Sequence, residues 1–388
     1  MKIISGKIYA LQIPFVEAFA HSAKTRKFSD SFVVRLTAED GANGYGEGVA
    51  RQYVTGETVE TSIAFIKNHI FPLIETTDFD HIKIDAEPLN SLEQISGIFT
   101  DEDFANNVVF HAARAAIESA LIDCLLKSGR KSLAQILPPK RDFVTYSGVI
   151  TTGTTEKAVQ HAKRFKLFGI SQLKIKIAND ENDVSRVAAI RQAVGERVSL
   201  RLDANAAFDL KGAIAMSEKM FRFGVDVIEQ PIPRGNLSEW AELKKRSMIP
   251  IMADESIVTR ADAQELIENR ACDFFNLRIS KCGGIANVLK LAQTAQKAGI
   301  RLQLGCQVGE TSILSAVGRH VAAHLETLEY VEGSFGNLLL TEDVGRTNIN
   351  FGHGGRAPLI RGDGIGIEIR EEILEKYAIH IETLVINH

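Results

Sequence analysis

The chain has 388 residues, 45% of them apolar, which is more than one compact core usually organises, so two domains or one barrel with additions are expected. A formal net charge of −4, with lysine and arginine scattered rather than striped, argues against nucleic acid or an anionic membrane as partner. The four cysteines are far apart with no CxxC pair, which argues against a disulfide framework or zinc cluster and fits a reducing cytoplasm.

Residues 1–50 alternate like strands in KIISGKIYAL and SFVVRL, with turn signals at EDGANGYGEG. The opening MKIISGKIYALQIPF lacks the apolar run and cleavage site of a signal peptide. No segment approaches the ~20 uninterrupted apolar residues of a membrane span. From 55 to 130 the period becomes helical, in TVETSIAFIKNHIF and in FANNVVFHAARAAIESALIDCLLKSG, which ends at Gly129. This first third is expected to be an α+β domain of residues 1–125.

From about residue 143 strand-like runs alternate with amphipathic helices. The runs fall at 144–150, 173–177, 198–205, 226–231, 249–256, 274–280, 300–306 and 328–333. Eight such units favour a closed parallel barrel over residues 126–345. An open doubly wound sheet is the competing arrangement, but no GxGxxG opens after a first strand. The last stretch is Gly-rich and then strand-like, and residues 355–388 are expected to pack back on the N-terminal domain. The Gly-rich run at 345–362 has no reading from its residues.

In such a barrel, catalytic side chains sit at the carboxyl ends of the strands. Lys174 and Lys176, two apart, share a face of the second strand. The third strand ends in Asp203 and Asn205, the fourth in Glu229 and the fifth in Asp254. Taken singly, each acid reads as a helix cap or a surface ion pair. Three on successive strands would repel one another unless a cation neutralised them, and oxygen ligands without Cys or His select Mg²⁺, with Mn²⁺ as the alternative. A lysine near that metal and a second ammonium has its pKa lowered, so Lys176 is read as an acid/base and Lys174 as a fixed cation.

At this point the sequence resembles the enolase superfamily, in particular its muconate lactonizing enzyme subgroup. The likeness spans nearly the whole chain: GYGEG, YVTGET, ARAAIESALIDCLL, the K-x-K strand, RLDAN, IEQP, ADES, KCGG at 281–284 and GIGIEI. The resemblance implies a modified (β/α)7β TIM-type barrel under an α+β capping domain. It also implies Mg²⁺ on Asp203, Glu229 and Asp254, Lys176 as acid/base, and a carboxylate substrate whose α-proton is removed through an enediolate. Family members tend to associate, so a homo-oligomer is expected.

Two departures matter. Where the subgroup carries a second lysine on the sixth strand, in N-x-K, this chain has Arg278, a poor base but a good cation; Lys281, of opposite parity, is placed at the turn. After the eighth strand, Gly333-Ser334-Phe335 replaces the Asp-x-Asp by which dipeptide epimerases hold an α-ammonium. The expectation is therefore a one-base isomerase (cycloisomerase) or lyase. The alternatives are a racemase or epimerase of an acylated or N-substituted amino acid and a catalytically silent binder of metal and carboxylate. A Schiff-base lyase leaves the three acids without a purpose. Glu310, His21, Asn205 and Ser334 are further candidates for touching the substrate.

Overall fold

The computed structural model describes residues 1–21, 24–82, 88–98, 109–151 and 153–385. The alternating apolar residues of Ile3–Leu11 and Ser31–Ala38 face one core, and the two strands pair antiparallel. Asn43–Gly48 flanks them on one side and Ala378–Val385 on the other, so the C-terminal strand completes the N-terminal sheet.

GANGYGEG is not all turn, as its glycines suggested. Only Glu39–Gly41 turn, and Asn43–Gly48 is a strand. Gly44, Gly46 and Gly48, all on one face, lie against the buried helix His111–Ser128. A Cβ on each would overlap the backbone carbonyls of Ala120, Ala116 and Ala112 in turn. Alanines spaced four apart on the helix and glycines spaced two apart on the strand let two backbones meet. The helix is buried almost all round because, besides the sheet, it meets Val59–Phe65 and Pro88–Ser96 on one side and the barrel helix Ile285–Lys297 on another.

Among the described residues the barrel has eight strands: Gly148–Ile150, Gln172–Lys176, Ser199–Asp203, Val225–Glu229, Ile251–Ala253, Phe274–Leu277, Arg301–Leu304 and Leu328–Val331. A helix follows each of the first seven, and every pairing is parallel and sequential. The two edges meet where Ser147 N–H donates to Val331 O at 2.8 Å. This is the expected (β/α)7β barrel beneath an α+β cap.

The expected strand at 144–150 is in fact two. Phe143–Thr145 pairs antiparallel with Arg356–Pro358 and only Gly148–Ile150 enters the barrel. The uninterpreted Gly-rich run supplies that partner and packs beside the barrel: Gly354 N–H donates to Phe168 O, and Tyr146 N–H to Gly355 O.

Strand parity builds the interior in layers. Val227, Met252, Phe274 and Tyr330 form a separate apolar floor. Two residues further along the same strands stand Glu229, Asp254, Asn276 and Glu332, a polar ring above it. No described helix is long and apolar enough to cross a membrane.

Candidate active site

The ring of polar ends opens into a cavity of about 770 Å³ between barrel and cap. Lys176 and Asp203 are direct register partners, and so are Asp203 and Glu229. Their side chains therefore stand side by side at one height. Lys176 Nζ donates to Asp203 Oδ2 at 2.9 Å and to Asn205 Oδ1 at 2.7 Å. Asn205, in a left-handed conformation just past the strand, is itself held by its Nδ2 donating to Glu255 Oε1 at 3.2 Å. Lys174 Nζ lies 3.4 Å from Asp203 Oδ2, 3.4 Å from Glu229 Oε1 and 2.5 Å from Glu332 Oε2.

Across the ring, the Arg278 guanidinium pairs with Asp254, lies 3.6 Å from Glu229 and donates to Gln307 Oε1 at 2.9 Å. Glu229 also accepts from Asn276 Nδ2 at 2.9 Å and Gln303 Nε2 at 3.1 Å. The electrostatics follow from this crowding. Burial, reinforced by Asp203, Glu332 and Asp254, pushes the Glu229 carboxyl up to about 8 against the pull of Lys174. Against burial, Lys176 and Lys174 hold Asp203 well below the usual carboxylate range, and Arg278 and Lys281 hold Asp254 down likewise. Burial opposes the charge on Lys174, but Glu229, Glu332 and Asp203 outweigh it and keep the ammonium protonated.

Among the described residues, no three Asp, Glu, His or Cys side chains are grouped closely enough to hold an ion as they stand. The Lys174 ammonium lies between Asp203 and Glu229, and the Arg278 guanidinium between Glu229 and Asp254. The donor set still fits a hard cation. It is all carboxylate oxygen, on neighbouring strands, and each pair already accommodates a positive charge between its members.

The other expected residues divide. Asn205, Glu310 and Ser334 line the cavity. Glu310 Oε1 accepts from Gln307 N–H at 2.5 Å. The Ser334 hydroxyl is already engaged, receiving from Arg319 and donating to Ile349 O at 2.7 Å. His21 ends the strand Pro14–His21, but its side chain lies outside the described residues. Lys281 lies in the turn after the sixth strand, as expected, but its side chain is buried. It is 1% exposed, and its ammonium donates to Asp254 Oδ1, Asp254 O and Asn276 O at 2.8, 2.6 and 2.7 Å. It backs Asp254 from behind and is not among the residues lining the cavity.

Glu332 was missed. It binds Lys174 and, at 3.2 Å, the Arg201 guanidinium. The rule that selected Asp203, Glu229 and Asp254, an acid closing a strand-like run, applies equally to LEYVEG and would have found it. Asn276 is legible as the inward-facing Asn two residues before Arg278, whereas Gln303 carries no mark, because its partner Glu229 lies on a different strand.

The family model described as enolase C-terminal domain-like matches residues 157–373, and that of the mandelate racemase / muconate lactonizing enzyme N-terminal domain matches residues 7–138. The chain is 29% identical over 387 residues to the N-succinyl-L-Arg/Lys racemase of Bacillus cereus, covering 98% of each. It is 34% identical to the hydrophobic dipeptide epimerase of Enterococcus faecalis, covering 83% of this chain and 87% of that one. The crystal structure of a dipeptide epimerase from Cytophaga hutchinsonii complexed with Mg and D-Ala-L-Val is similar at a TM-score of 0.84 and 25% identity, covering 100% of both chains.

Proposed function

The chain belongs to the mandelate racemase / muconate lactonizing enzyme family of the enolase superfamily, and on that premise we propose that it racemises or epimerises an N-substituted amino acid by moving the proton alpha to its carboxylate. Racemase and epimerase relatives favour this reading over the one-base isomerase or lyase expected from Arg278. The observation that carries it is Lys176, a buried amine aimed at the cavity by two acceptors and register-paired with the first of three converging acids.

Lys176 takes the α-proton on one face of the substrate. Asn205 and Glu255 keep its amine on that face. Lys174 and Arg278 are fixed cations that orient the carboxylate as charge builds on it. Mg²⁺, or Mn²⁺ in its place, would be held by Asp203, Glu229 and Asp254 and would supply the positive charge that makes the α-proton acidic. Gly333-Ser334-Phe335 offers no carboxylate for a free α-ammonium, which favours an acylated nitrogen over a free dipeptide.

The test is α-proton exchange in D2O with Mg²⁺, followed by proton NMR, over N-succinyl and N-acetyl derivatives of lysine and phenylalanine. Exchange is expected, and Lys176→Ala is expected to slow it by roughly 10²–10⁴-fold. Exchange that persists unchanged in that variant would sink the assignment. A second reading, elimination or cycloisomerisation by one base, is favoured by Arg278 standing where the family places a lysine. Exchange without any inversion of configuration would support it.

A further inference from the structure

Inversion at the α-carbon needs a proton acceptor on one face and a donor on the other, and this chain has an arginine where the second lysine is expected. Arg278 keeps its protons at any ordinary pH and is committed to Asp254 and Gln307. Another group must serve the far face if the proposed racemisation occurs.

The titratable side chains lining the cavity sort by position. His161, on the helix after the first barrel strand, and Glu255, bonded to Asn205, lie on the side of Lys176. Glu17 and Tyr53 belong to the cap, and Tyr53 is 57% exposed. That leaves Cys306, Glu310 and Glu332 on the side of strands seven and eight. Glu332 is bound by Lys174 and Arg201, which hold it charged against burial and leave it nothing to donate. Burial drives the Cys306 thiol far above its ordinary value, so it does not release a proton.

Glu310 has neither handicap. It stands in the loop after strand seven, three strands round the closed barrel from strand two. One oxygen is fixed by the Gln307 N–H, and Gln307 also holds Arg278, so the carboxyl is anchored beside the cation that faces the substrate. Among the described residues its other oxygen takes no hydrogen bond. Burial pushes the group up to about 8 while Arg278 and Arg51 pull it back, so near neutral pH both protonation states are accessible.

We propose that Glu310 is the proton carrier on the face of the substrate opposite Lys176. The inference rests on the racemase reading. In one direction, Lys176 takes the α-proton and the C–H electron pair moves into the substrate's enediolate. The Glu310 carboxylic acid then gives its proton to the opposite face, and the pair returns as the new C–H bond. Lys176 is left as ammonium and Glu310 as carboxylate. The other enantiomer runs the same steps backwards, or both groups reset by exchange with solvent.

Glu310→Gln keeps the acceptor for Gln307 but removes the proton. The separate D and L forms of N-succinyl- and N-acetyl-lysine and -phenylalanine are followed in D2O with Mg²⁺, by NMR for exchange and by chiral chromatography for inversion. In the variant, inversion should fall by at least ~100-fold. The enantiomer whose proton faces Lys176 should keep exchanging within about threefold of the wild-type rate, and the other should stop. Glu310→Asp should restore part of the inversion. Inversion at the wild-type rate in Glu310→Gln overturns the proposal. So does loss of exchange of both enantiomers in a variant whose melting temperature is unchanged. Wild-type enzyme that exchanges neither enantiomer across this panel overturns the racemase reading itself, and this inference with it.

Discussion

Asp254 is held from two sides by cations of different kinds. Arg278 meets it from the cavity, and Lys281 meets it from inside the wall with three acceptors and 1% exposure. The two should respond differently to removal. Lys281→Met leaves Asp254 Oδ1 without its donor in a dry setting and removes one donor each from the Asp254 and Asn276 carbonyls, and should destabilise the fold by about 3–5 kcal/mol, read as a lowered urea midpoint. A midpoint within 1 kcal/mol of wild type, by the same scale, would mean that Lys281 is not the counter-charge described. At this scale the sequence was legible wherever chemistry coincided with strand position. Asp203, Glu229 and Asp254 each close an apolar run and so announced themselves. Lys281 was placed at the turn correctly, but its inward direction was not legible, because parity counting says nothing once the strand has ended. The strand stops at Leu277, and the turn that follows carries Lys281 back inward.

Among the elements, the contact between Asn43–Gly48 and His111–Ser128 is the closest to a fixed fit. A Cβ at Gly46 would overlap the Ala116 carbonyl oxygen, with the Ala120 N–H close behind, and backbone cannot swing aside as a side chain can. Gly46→Ala should therefore cost about 3 kcal/mol or more, measured as a drop in melting temperature. Gly41→Ala offers the control: its Cβ would meet nothing, though its φ of 87° is a strain of its own. Glycines at alternate positions looked like turn signals because the residue type that permits a turn also permits two backbones to touch. Only the helix packed above distinguishes the two, and it lies some seventy residues downstream. The split of 144–150 was hidden for a related reason, since its cause is Arg356–Pro358, about two hundred residues away.

In the whole molecule, buried carboxylates join the cap to the barrel. Glu118 accepts from the Ile285 and Ala286 N–H groups at the start of Ile285–Lys297. Glu47 accepts from the Thr311 and Leu314 N–H groups and the Thr311 hydroxyl at the start of Ser312–His324. Each lies at the positive end of a helix. Their burial pushes both up to about 7, so they bind a proton more readily folded than unfolded, and their contribution improves as pH falls from 7 towards 4.5. His320 acts in the opposite sense. Burial pushes its imidazole down to about 4, with one ring nitrogen 3.2 Å from Ile365 O. The unfolded chain takes up that proton near its ordinary value and the folded chain does not. Stability is thus fully present above about pH 6.5 and is lost as pH falls towards 4. Comparing wild type with His320→Gln isolates this group from the carboxylates. Between pH 7.5 and 5, wild type should lose about 2 kcal/mol more than the variant, by urea unfolding at each pH. Equal losses would mean that the ring is not held neutral.

The sheet that opens the chain also has a consequence for how the protein is made. Ile3–Leu11 pairs on one side with Ser31–Ala38, which emerges from the ribosome soon after it, and on the other with Ala378–Val385. Throughout synthesis that second edge stays bare, a row of amide and carbonyl groups with no neighbour. The cap therefore cannot be finished until translation has passed the entire barrel. A nascent chain stalled before residue 378 would carry an open, adhesive flank on Ile3–Leu11.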